Sequence, residues 1–340
     1  MPGPASLTLS KNTKDVETYL STVSFSQSLD ALDTLQAEFV VTDTTNLAKV
    51  LTFAKVGGDY LYKWGTSFKA SGDIISVNIH RRGLGAWTVT VVGLETLHRI
   101  RHLRLSEVKE QTKDAIAATL IKKAGLTANA TKVSATASEE ILIDNAMLAT
   151  LKALADELNY ALRADDANLY FEPRNLPAKS ALKLAWLADI QDVDFTMDLN
   201  DVLTGVKVTG WDYRKCAAVE YETKATDLKK VSGGTDTAVS LRSKLAAAAV
   251  IRAEGNNAPT LSEVKEKAIA LLQRRAETFV RGTFHCDGLI EATVSQKLTI
   301  TGAPWPLGGP FVISGIEHIV SGPTHLETRL SVFSDGLPSP

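Results

Sequence analysis

Two histidines four residues apart are the first candidates for chemistry in this chain. His98 and His102 would share one face of a helix, so their imidazoles could bind one metal ion. No carboxylate or third ligand stands at a matching spacing, and Arg99, Arg101 and Arg104 crowd the segment with positive charge. The pattern therefore predicts a basic surface segment without metal. The arginines could also contact a phosphate backbone, but the interleaved aromatic residues of single-strand binders are missing.

Two other clusters contain residue types that catalysis or metal binding uses. His285-Cys286-Asp287 cannot converge as a triad, because consecutive strand residues point to opposite faces. Three aspartates, Asp189, Asp192 and Asp194, could bind a cation, but their spacing is more typical of a solvated loop. No phosphate loop, metalloprotease helix, nucleophile elbow or calcium loop is present. The sequence thus predicts no catalytic, cofactor-binding or metal-ligating residues.

Composition restricts the class of protein. A chain of 340 residues exceeds one ordinary core, so two or three domains are expected. With 44% hydrophobic and 22% charged residues the chain should fold. The net charge of −2 recruits neither nucleic acid nor anionic lipid. The first fourteen residues lack a signal-peptide pattern and no apolar run reaches membrane length, so we expect the chain to be made and folded in the cytoplasm.

The N-terminal third reads as strands. Leu35, Ala37, Phe39 and Val41 alternate with polar residues, which is the period of a half-buried strand. Similar runs follow at 60–64, 68–80 and 87–94, separated by glycine-containing turns. We therefore predict a first β-domain over residues 1–105.

The middle of the chain has a different pattern. Residues 112–124 and 145–158 repeat apolar positions at helical spacing, and the first of these helices stops at Gly125. The second leads into a hairpin over 159–173 with a turn at Asp165-Asp166. We predict an inserted α+β domain over 106–200, with short strands at 182–187 and 193–199.

The C-terminal part returns to strands around one long helix. A strand at 203–212 is predicted to open a second barrel over 201–340, followed by a partly loose connector at 224–257 and a helix at 260–281. Short strands with Gly/Pro turns then suggest a small antiparallel barrel. Because the sequence at 313–317 echoes that at 92–95, we expect two copies of one barrel.

The order of these features resembles a known family. The helix and hairpin at 148–171, the Val-x-Val-x-Gly-Trp-Asp strand at 206–212, the helix at 261–281, the Pro-Leu-Gly-Gly-Pro-Phe-Val-Ile run and Gly-Ile-Glu-His together resemble the phage late control D family. Its members are baseplate hubs of contractile tails, and the same unit begins the type VI secretion spike proteins. The resemblance covers residues 15–335. The chain departs from it at Gly308-Gly309-Pro310, where the family usually has Pro-Gly.

The resemblance implies a structural role. It implies a homotrimeric ring in which two tube-protein-like barrels per subunit match a sixfold tail tube on one face and a threefold spike on the other. The expected partners are the tube protein, a separate spike protein and other baseplate components in a phage tail or injection particle, with no membrane, no specific nucleic acid and no cofactor. Two alternatives stay open: a baseplate-associated cell-wall hydrolase, and a two-barrel module that binds carbohydrate or protein.

Trp211 raises a question that the sequence leaves open. Val206 and Val208 share one strand face and Trp211 the other, unless a bulge at Gly210 turns the indole inward. A buried Trp211 would make its truncation cost about 3–5 kcal/mol. An exposed one would make the cost less than about 0.5 kcal/mol.

Overall fold

The strands that the alternating pattern predicts are present in the described parts of the chain. The computed structural model describes residues 5–11, 14–64, 68–81, 83, 85–104, 107–132, 139–143, 146–165, 168–174, 180–212, 215–231, 236–245, 250–254, 260–288, 290–322 and 325–338. These residues form twenty β-strands, six α-helices and two short 3-10 helices, Thr96–Ile100 and Ala225–Asp227. The fold is therefore mixed α+β and mostly antiparallel, as predicted.

In the N-terminal part, most strands place one face in a core. The strands are β1 (Ala5–Leu9), β2 (Leu20–Ser28), β3 (Thr34–Val41), β4 (Asp59–Trp64), β5 (Phe68–Arg81) and β6 (Trp87–Glu95), and the helices are α1 (Lys14–Tyr19) and α2 (Thr44–Phe53). Alternating residues of β1, β2, β3, β4 and β6 place one face of the strand in a core. The alternation predicted for β3 is confirmed, because Leu35, Ala37, Phe39 and Val41 are all buried.

The middle part contains two helices and a hairpin. Its elements are β7 (Glu107–Gln111), α3 (Lys113–Lys123), β8 (Thr127–Ala130), β9 (Glu139–Ile143), α4 (Met147–Leu158), β10 (Tyr160–Asp165) and β11 (Asn168–Pro173). The predicted hairpin is confirmed as the antiparallel pair β10–β11, while residues 166–167 of its turn lie outside the described residues. Asn159 ends α4 in the left-handed conformation, with φ 54°, which a short polar residue tolerates.

The C-terminal part has strands before and after a long helix. Its elements are β12 (Leu182–Ala185), β13 (Ile190–Met197), β14 (Gly205–Asp212), β15 (Ala217–Glu222), α5 (Ala238–Leu245), β16 (Val250–Glu254), α6 (Leu261–Ala276), β17 (Val280–Asp287), β18 (Lys297–Thr301), β19 (Phe311–Ser321) and β20 (His325–Ser334). The predicted helix is shorter than 260–281, because Val280 and Arg281 already pair with β20. Thr260 and Glu263 form a capping box that fixes where α6 begins.

One large sheet joins the two ends of the chain. Twelve of the described strands form it, in the order β1-β4-β5-β6-β3-β2-β19-β20-β17-β13, with β18 beside β19 and β12 beside β18. The link is the antiparallel pair β2–β19, which runs from Thr22–Ser321 to Ser28–Gly315. The two-barrel arrangement is therefore not confirmed: within the described strands the ladder is continuous and closes into no barrel.

The strand at 205–212 lies elsewhere than expected. We expected it to open the second barrel, but β14 pairs with β15 and β16 in a separate three-stranded sheet. Its inner face packs on α6, where Val206 and Val208 share a core with Val264 and Leu272. The large sheet instead takes β13, from within the segment 106–200, beside β17. Strand pairing depends on long-range packing that local alternation does not encode.

Three groups of buried apolar residues hold the described elements together. One lies in the N-terminal strands around Phe25, Tyr62 and Trp64. A second joins α6 to the C-terminal strands through Phe284 and Phe311, and a third lies between α3, α4 and β11.

Trp211 is exposed, so its truncation should have little effect. The register of β14 with β15 continues through Gly210 without a bulge, which leaves Trp211 on the face away from Val206 and Val208, with 48% of its surface exposed. We expect Trp211→Ala to change the free energy of unfolding by less than about 0.5 kcal/mol. Chemical denaturation checks this value, and a loss above about 2 kcal/mol would place the indole in a core. Val208→Ala, on the buried face of the same strand, is the matched control that should lose more.

Candidate functional site

A charged junction connects three parts of the molecule. We define it as Asp30, Asn159, Arg174 and Glu277. Arg174, which follows β11, donates Nη1 and Nη2 to the two carboxylate oxygens of Asp30, at 2.7 and 3.1 Å, and Nε to Glu277 Oε2 at 3.3 Å. Asn159, at the end of α4, donates Nδ2 to Glu277 Oε1 at 2.8 Å. The junction thus ties the β2–β3 turn, the middle part and the end of α6.

Burial makes the charges of the junction depend on each other. Arg174 and Glu277 are nearly inaccessible, with 6% and 5% of their side chains exposed, whereas Asp30 is half exposed. Burial raises the pKa of Glu277 above its ordinary value, an effect that Arg174 offsets only in part. Burial acts in the same direction on Asp30, but the hydrogen bond and charge of Arg174 lower its pKa overall. A buried carboxylate needs such a partner, because an unpaired one is costly.

An exposed lysine and a partly exposed arginine extend the junction toward solvent. Lys152 donates Nζ to the carbonyl oxygen of Asp30 at 2.7 Å, and Arg274 donates Nη2 to Asp156 Oδ1 at 2.8 Å. Arg274 also lies 3.6 Å from Asp30 Oδ1. These pairs are solvent-screened and contribute less than the buried ones.

The junction forms one wall of a polar cleft. This cleft has a volume of about 560 Å³ and runs along the strands β13, β17 and β20. A second cleft of about 530 Å³ continues along the same sheet face to Glu317 and Arg329. Both are lined by Asp30, Asp194, Thr283, Ser314 and Ser331. Hydroxyl groups and paired charges of this kind suit contacts with a polar macromolecular surface.

A pair of buried carboxyl groups lies on the other side of the β2–β3 turn. Asp33 and Glu95 are both buried, and the backbone amide of Glu95 donates to the carbonyl oxygen of Asp33 at 3.1 Å. Gln27 Nε2 donates to Asp33 Oδ2 at 2.8 Å. Burial raises the pKa of Asp33 to about 7, and burial together with the nearby Asp33 raises that of Glu95. Burial therefore shifts the protonation equilibrium of both carboxyl groups toward the protonated form.

The histidine of the Gly-Ile-Glu-His run is a core residue. His318 is fully buried, and its ring centroid lies 3.8 Å from that of Trp64. Neither ring nitrogen has a hydrogen-bond partner among the described residues. Burial lowers the pKa of His318 to about 3, so the ring is neutral at physiological pH. Its contribution is packing where β19 meets the N-terminal core.

The histidine pair of the sequence does not converge on a metal-like arrangement. His98 Nδ1 lies 2.8 Å from the carbonyl oxygen of Glu95, and Nε2 lies 3.5 Å from Asp73 Oδ2. Arg99 binds both carboxylate oxygens of Asp73 at 2.6 Å, while Arg101, His102 and Arg104 are exposed. In the part of the chain that the structure describes, no three His, Cys, Asp or Glu residues are grouped as a metal site.

Removing both histidines should therefore leave the metal content unchanged. We expect the double variant His98→Ala/His102→Ala and the unmodified protein to contain equal, substoichiometric zinc and iron. Elemental analysis by mass spectrometry checks this after dialysis without chelator. Stoichiometric metal that disappears in the double variant would contradict the expectation.

The strand cluster His285-Cys286-Asp287 is divided between the two sheet faces. Cys286 is buried and burial raises the pKa of its thiol to about 12, so it is inert, whereas Asp287 is exposed. His285 Nδ1 lies 3.2 Å from Glu327 Oε1 on the polar face.

The three aspartates near β13 do not form a cation site together. Asp189 Oδ2 accepts from the amide of Ala185 at 2.7 Å, and Asp192 Oδ1 from that of Val193 at 2.9 Å. Asp194 lines the polar clefts.

Among the described helices none combines the length and apolar character that crossing a bilayer requires.

Comparison with known families gives one assignment. A family model described as the Alg8 N-terminal domain matches residues 71–322, which is well over half of the chain. The chain belongs to the Alg8 N-terminal domain family. The match begins within β5 and ends directly after β19, so the Alg8 N-terminal domain includes the C-terminal strand of the β2–β19 link. The matching model is not one of late control D.

Solved structures share the fold of this Alg8 N-terminal domain protein. A prophage MuSo2 43 kDa tail protein from Shewanella oneidensis superposes with a TM-score of 0.73 at 12% identity, over 96% of this chain and 97% of that one. A tail protein from Neisseria meningitidis gives 0.71 at 11% identity, over 98% and 97%. An E. coli component of the type VI secretion system gives 0.60 at 11%, over 93% and 73%. Comparison with curated protein sequences gives no match. This chain therefore shares its fold with these tail and type VI secretion proteins.

Proposed function

We propose that this protein is a structural baseplate hub of a contractile tail or contractile injection system. The observation that carries the proposal is the extent of the fold likeness: 96–98% of this chain superposes on 97% of each of two tail proteins, one of them from a prophage. The fold likeness thus takes in nearly all of this chain. Kinship with late control D hubs, indicated by the sequence order, is part of the same proposal.

The large sheet supports assembly into a ring. Within the described residues three of its strands, β1, β12 and β13, are each paired on one side only. Open edges are available for pairing with another chain. When two unlike surfaces of one chain meet in successive copies, a ring forms if the rotation closes. We propose a homotrimer with an interface on the order of 2,000 Å² or more.

The ring would adapt a sixfold inner tube to a threefold spike. The resemblance to the late control D hubs supports this, since it implies two tube-protein-like units per subunit and therefore six in three subunits. We retain the division into 1–105, 106–200 and 201–340, with β12 and β13 completing the sheet of the third unit. The partners are the tube protein, a spike protein and other baseplate components, and the protein is assembled in the bacterial cytoplasm into a tail or injection particle. We propose no enzymatic activity.

Negative-stain imaging of the purified chain tests the proposal. The hub predicts threefold rings with a central opening at micromolar concentration. A field of small single particles would contradict it and would favour the alternative of a two-barrel binding module. Release of peptidoglycan fragments by the isolated chain would favour the cell-wall hydrolase instead.

A further inference from the structure

The turn between β2 and β3 connects the N-terminal core to the other two cores. We call residues 29–33 the turn segment. It joins two strands whose Phe25 and Leu35 lie in the N-terminal core. Leu29 belongs to the core of α6 and the C-terminal strands, and Leu32 packs against the core between α3, α4 and β11. A displacement of this short segment therefore loosens contacts between all three parts.

The turn segment ends in a buried pair of carboxyl groups, Asp33 and Glu95, which we call the carboxyl pair. The Glu95 amide donates to the Asp33 carbonyl oxygen at 3.1 Å, and the Asp33 backbone hydrogen-bonds the Glu95 carboxyl group. The 3-10 helix Thr96–Ile100 follows Glu95 directly, and its Leu97 lies in the same core that Leu32 contacts. The carboxyl pair is therefore placed where the N-terminal strands meet the middle part.

Few groups stabilise negative charge on the carboxyl pair. Asp33 accepts from the side chain of Gln27 at 2.8 Å and from the backbone of Ser28. The positive charge that acts on Asp33 is that of Arg163 on β10, and Arg163 is itself bonded to Glu172. Ionising both members of the pair inside the protein is unfavourable, because buried carboxylates need close cations or several donors and these two also repel each other.

The other titratable and charged groups around the carboxyl pair come from several elements. They are Tyr60 on β4, Asp73 on β5, His98 and Arg99 in the 3-10 helix, Asp30 in the turn segment, Lys152 and Asp156 on α4, Tyr160 on β10, and Arg174. The cations among them are engaged elsewhere, since Arg99 binds Asp73, and Lys152 and Arg174 bind Asp30. The carboxyl pair thus depends on retained protons instead of a cation.

A small pocket separates the turn segment from α4. It has a volume of about 80 Å³, with Leu29, Leu32 and Glu95 on one side and Leu148 and Ala155 of α4 on the other. Because a water molecule takes about 30 Å³ in the liquid, the pocket has room for about two of them. Water in the pocket lies next to Glu95, and an ionised carboxyl group gains free energy from hydration. Ionisation therefore favours a wider pocket.

We propose that the carboxyl pair is a proton-dependent latch: it holds the turn segment against the middle part while it keeps a proton, and it lets the segment move away from α4 once both carboxyl groups ionise. Opening hydrates Glu95, exposes Leu32 and breaks the bond of Lys152 to the carbonyl oxygen of Asp30. All these contacts lie within one chain, so the inference does not rest on the proposed hub.

The latch opens as pH rises. Burial raises the pKa of Asp33 to about 7, and burial together with Asp33 raises that of Glu95. A solvent-exposed aspartate ionises near about 3.9. Between these two values the closed latch binds more protons than the open one, so opening becomes more favourable with increasing pH. One such group changes the ratio of open to closed molecules by about tenfold per pH unit.

Hydrogen exchange measured by mass spectrometry tests the latch. Two amides report its opening: that of Glu95, bonded to Asp33, and that of Leu29, which donates to the Ser314 carbonyl oxygen at 3.0 Å. Each exchange rate is divided by the chemical rate of the same peptide at the same pH. We expect their protection to fall about tenfold per unit from pH 5 to pH 7, and to lie well below that of β17 and β20 throughout. Constant protection, or protection equal to that of β17 and β20, would overturn the proposal.

Removing both ionisable groups should keep the latch closed at every pH. In Asp33→Asn/Glu95→Gln we expect the protection of the Leu29 amide to be independent of pH between 5 and 7. Asp73→Asn removes a neighbouring carboxylate whose pKa Arg99 lowers, and this matched control should keep the wild-type pH dependence. A double variant that retains the wild-type dependence overturns the proposal.

A thiol in the pocket wall tests the opening in a chain that keeps both carboxyl groups. In a Cys216→Ser background, Ala155→Cys places a cysteine at a buried position that lines the pocket, and Ala117→Cys places one at a buried position of the same core outside the pocket lining. Each maleimide reaction rate is divided by that of the urea-unfolded chain at the same pH. We expect Ala155→Cys to react faster than Ala117→Cys at each pH, and its rate to rise about tenfold per unit from pH 5 to pH 7. Equal rates in the two variants would mean that only global unfolding exposes the pocket, and the latch would be wrong.

Discussion

Replacing Arg174 by alanine should lower the free energy of unfolding by about 3–5 kcal/mol. The guanidinium is buried and binds Asp30 and Glu277 together, so its removal takes the charge partner from the deeply buried Glu277 carboxylate and leaves it the amide of Asn159. The guanidinium also lies 5.9 Å from the ring centroid of Phe333, and that contact is lost too. Equilibrium denaturation with guanidinium chloride measures the loss.

Two companion variants separate the buried pair from surface charge. Arg274→Ala removes a partly exposed cation from the same neighbourhood and should cost less than about 1 kcal/mol. Arg174→Met/Glu277→Gln removes both buried charges and should recover part of the stability, because the unpaired carboxylate is gone. Equal losses in Arg174→Ala and Arg274→Ala would contradict the role assigned to the junction.

Replacing Asp33 by asparagine should stabilise the protein at alkaline pH, by about 2–4 kcal/mol at pH 8. Burial raises the pKa of Asp33 to about 7, whereas an unfolded aspartate ionises near about 3.9. At a pH between these two pKa values, the folded wild type must therefore either keep Asp33 protonated or bury its negative charge. Asparagine keeps an oxygen that can accept from Gln27 and carries no charge.

The direction in which stability changes with pH follows from how many protons the folded and unfolded states bind. Because folded Asp33 binds more protons than unfolded Asp33 between about pH 4 and pH 7, the contribution of Asp33 to stability falls as pH rises through this window. The difference between Asp33→Asn and wild type should then be small at pH 4 and constant above about pH 7. Asp30→Asn is the matched control with the opposite expectation, because Arg174 lowers the pKa of Asp30. Thermal unfolding at pH 4, 6 and 8 decides between the two, and a pH-independent effect of Asp33→Asn would contradict the assignment.

Local patterning predicted the elements better than their partners. The alternation in β3 and the helix-plus-hairpin at 147–173 are confirmed, since each depends on residues close in sequence. The pairing of β2 with β19 joins residues from opposite ends of the chain, and alternation specifies only which face is buried. The same limit explains β14, whose faces follow the pattern although its partners are β15 and β16.

No local sequence pattern predicted the buried ion pair or the buried carboxyl groups. Arg174 and Glu277 lie 103 residues apart, and a buried ion pair needs only that folding bring its members together. Asp33 and Glu95 belong to no recognisable sequence motif. Burial in the folded structure raises their pKa values, and burial cannot be read from either residue alone. The left-handed Asn159 was the nearest hint, since an asparagine at the end of a predicted helix marks its cap. For Trp211, only the continuous register of β14 with β15 decides the face.

Sedimentation equilibrium of the purified chain tests the hub proposal most directly. The account predicts a species with three times the mass of the chain at micromolar concentration. A wild-type protein that remains at the mass of a single chain across the concentration range would contradict the central claim.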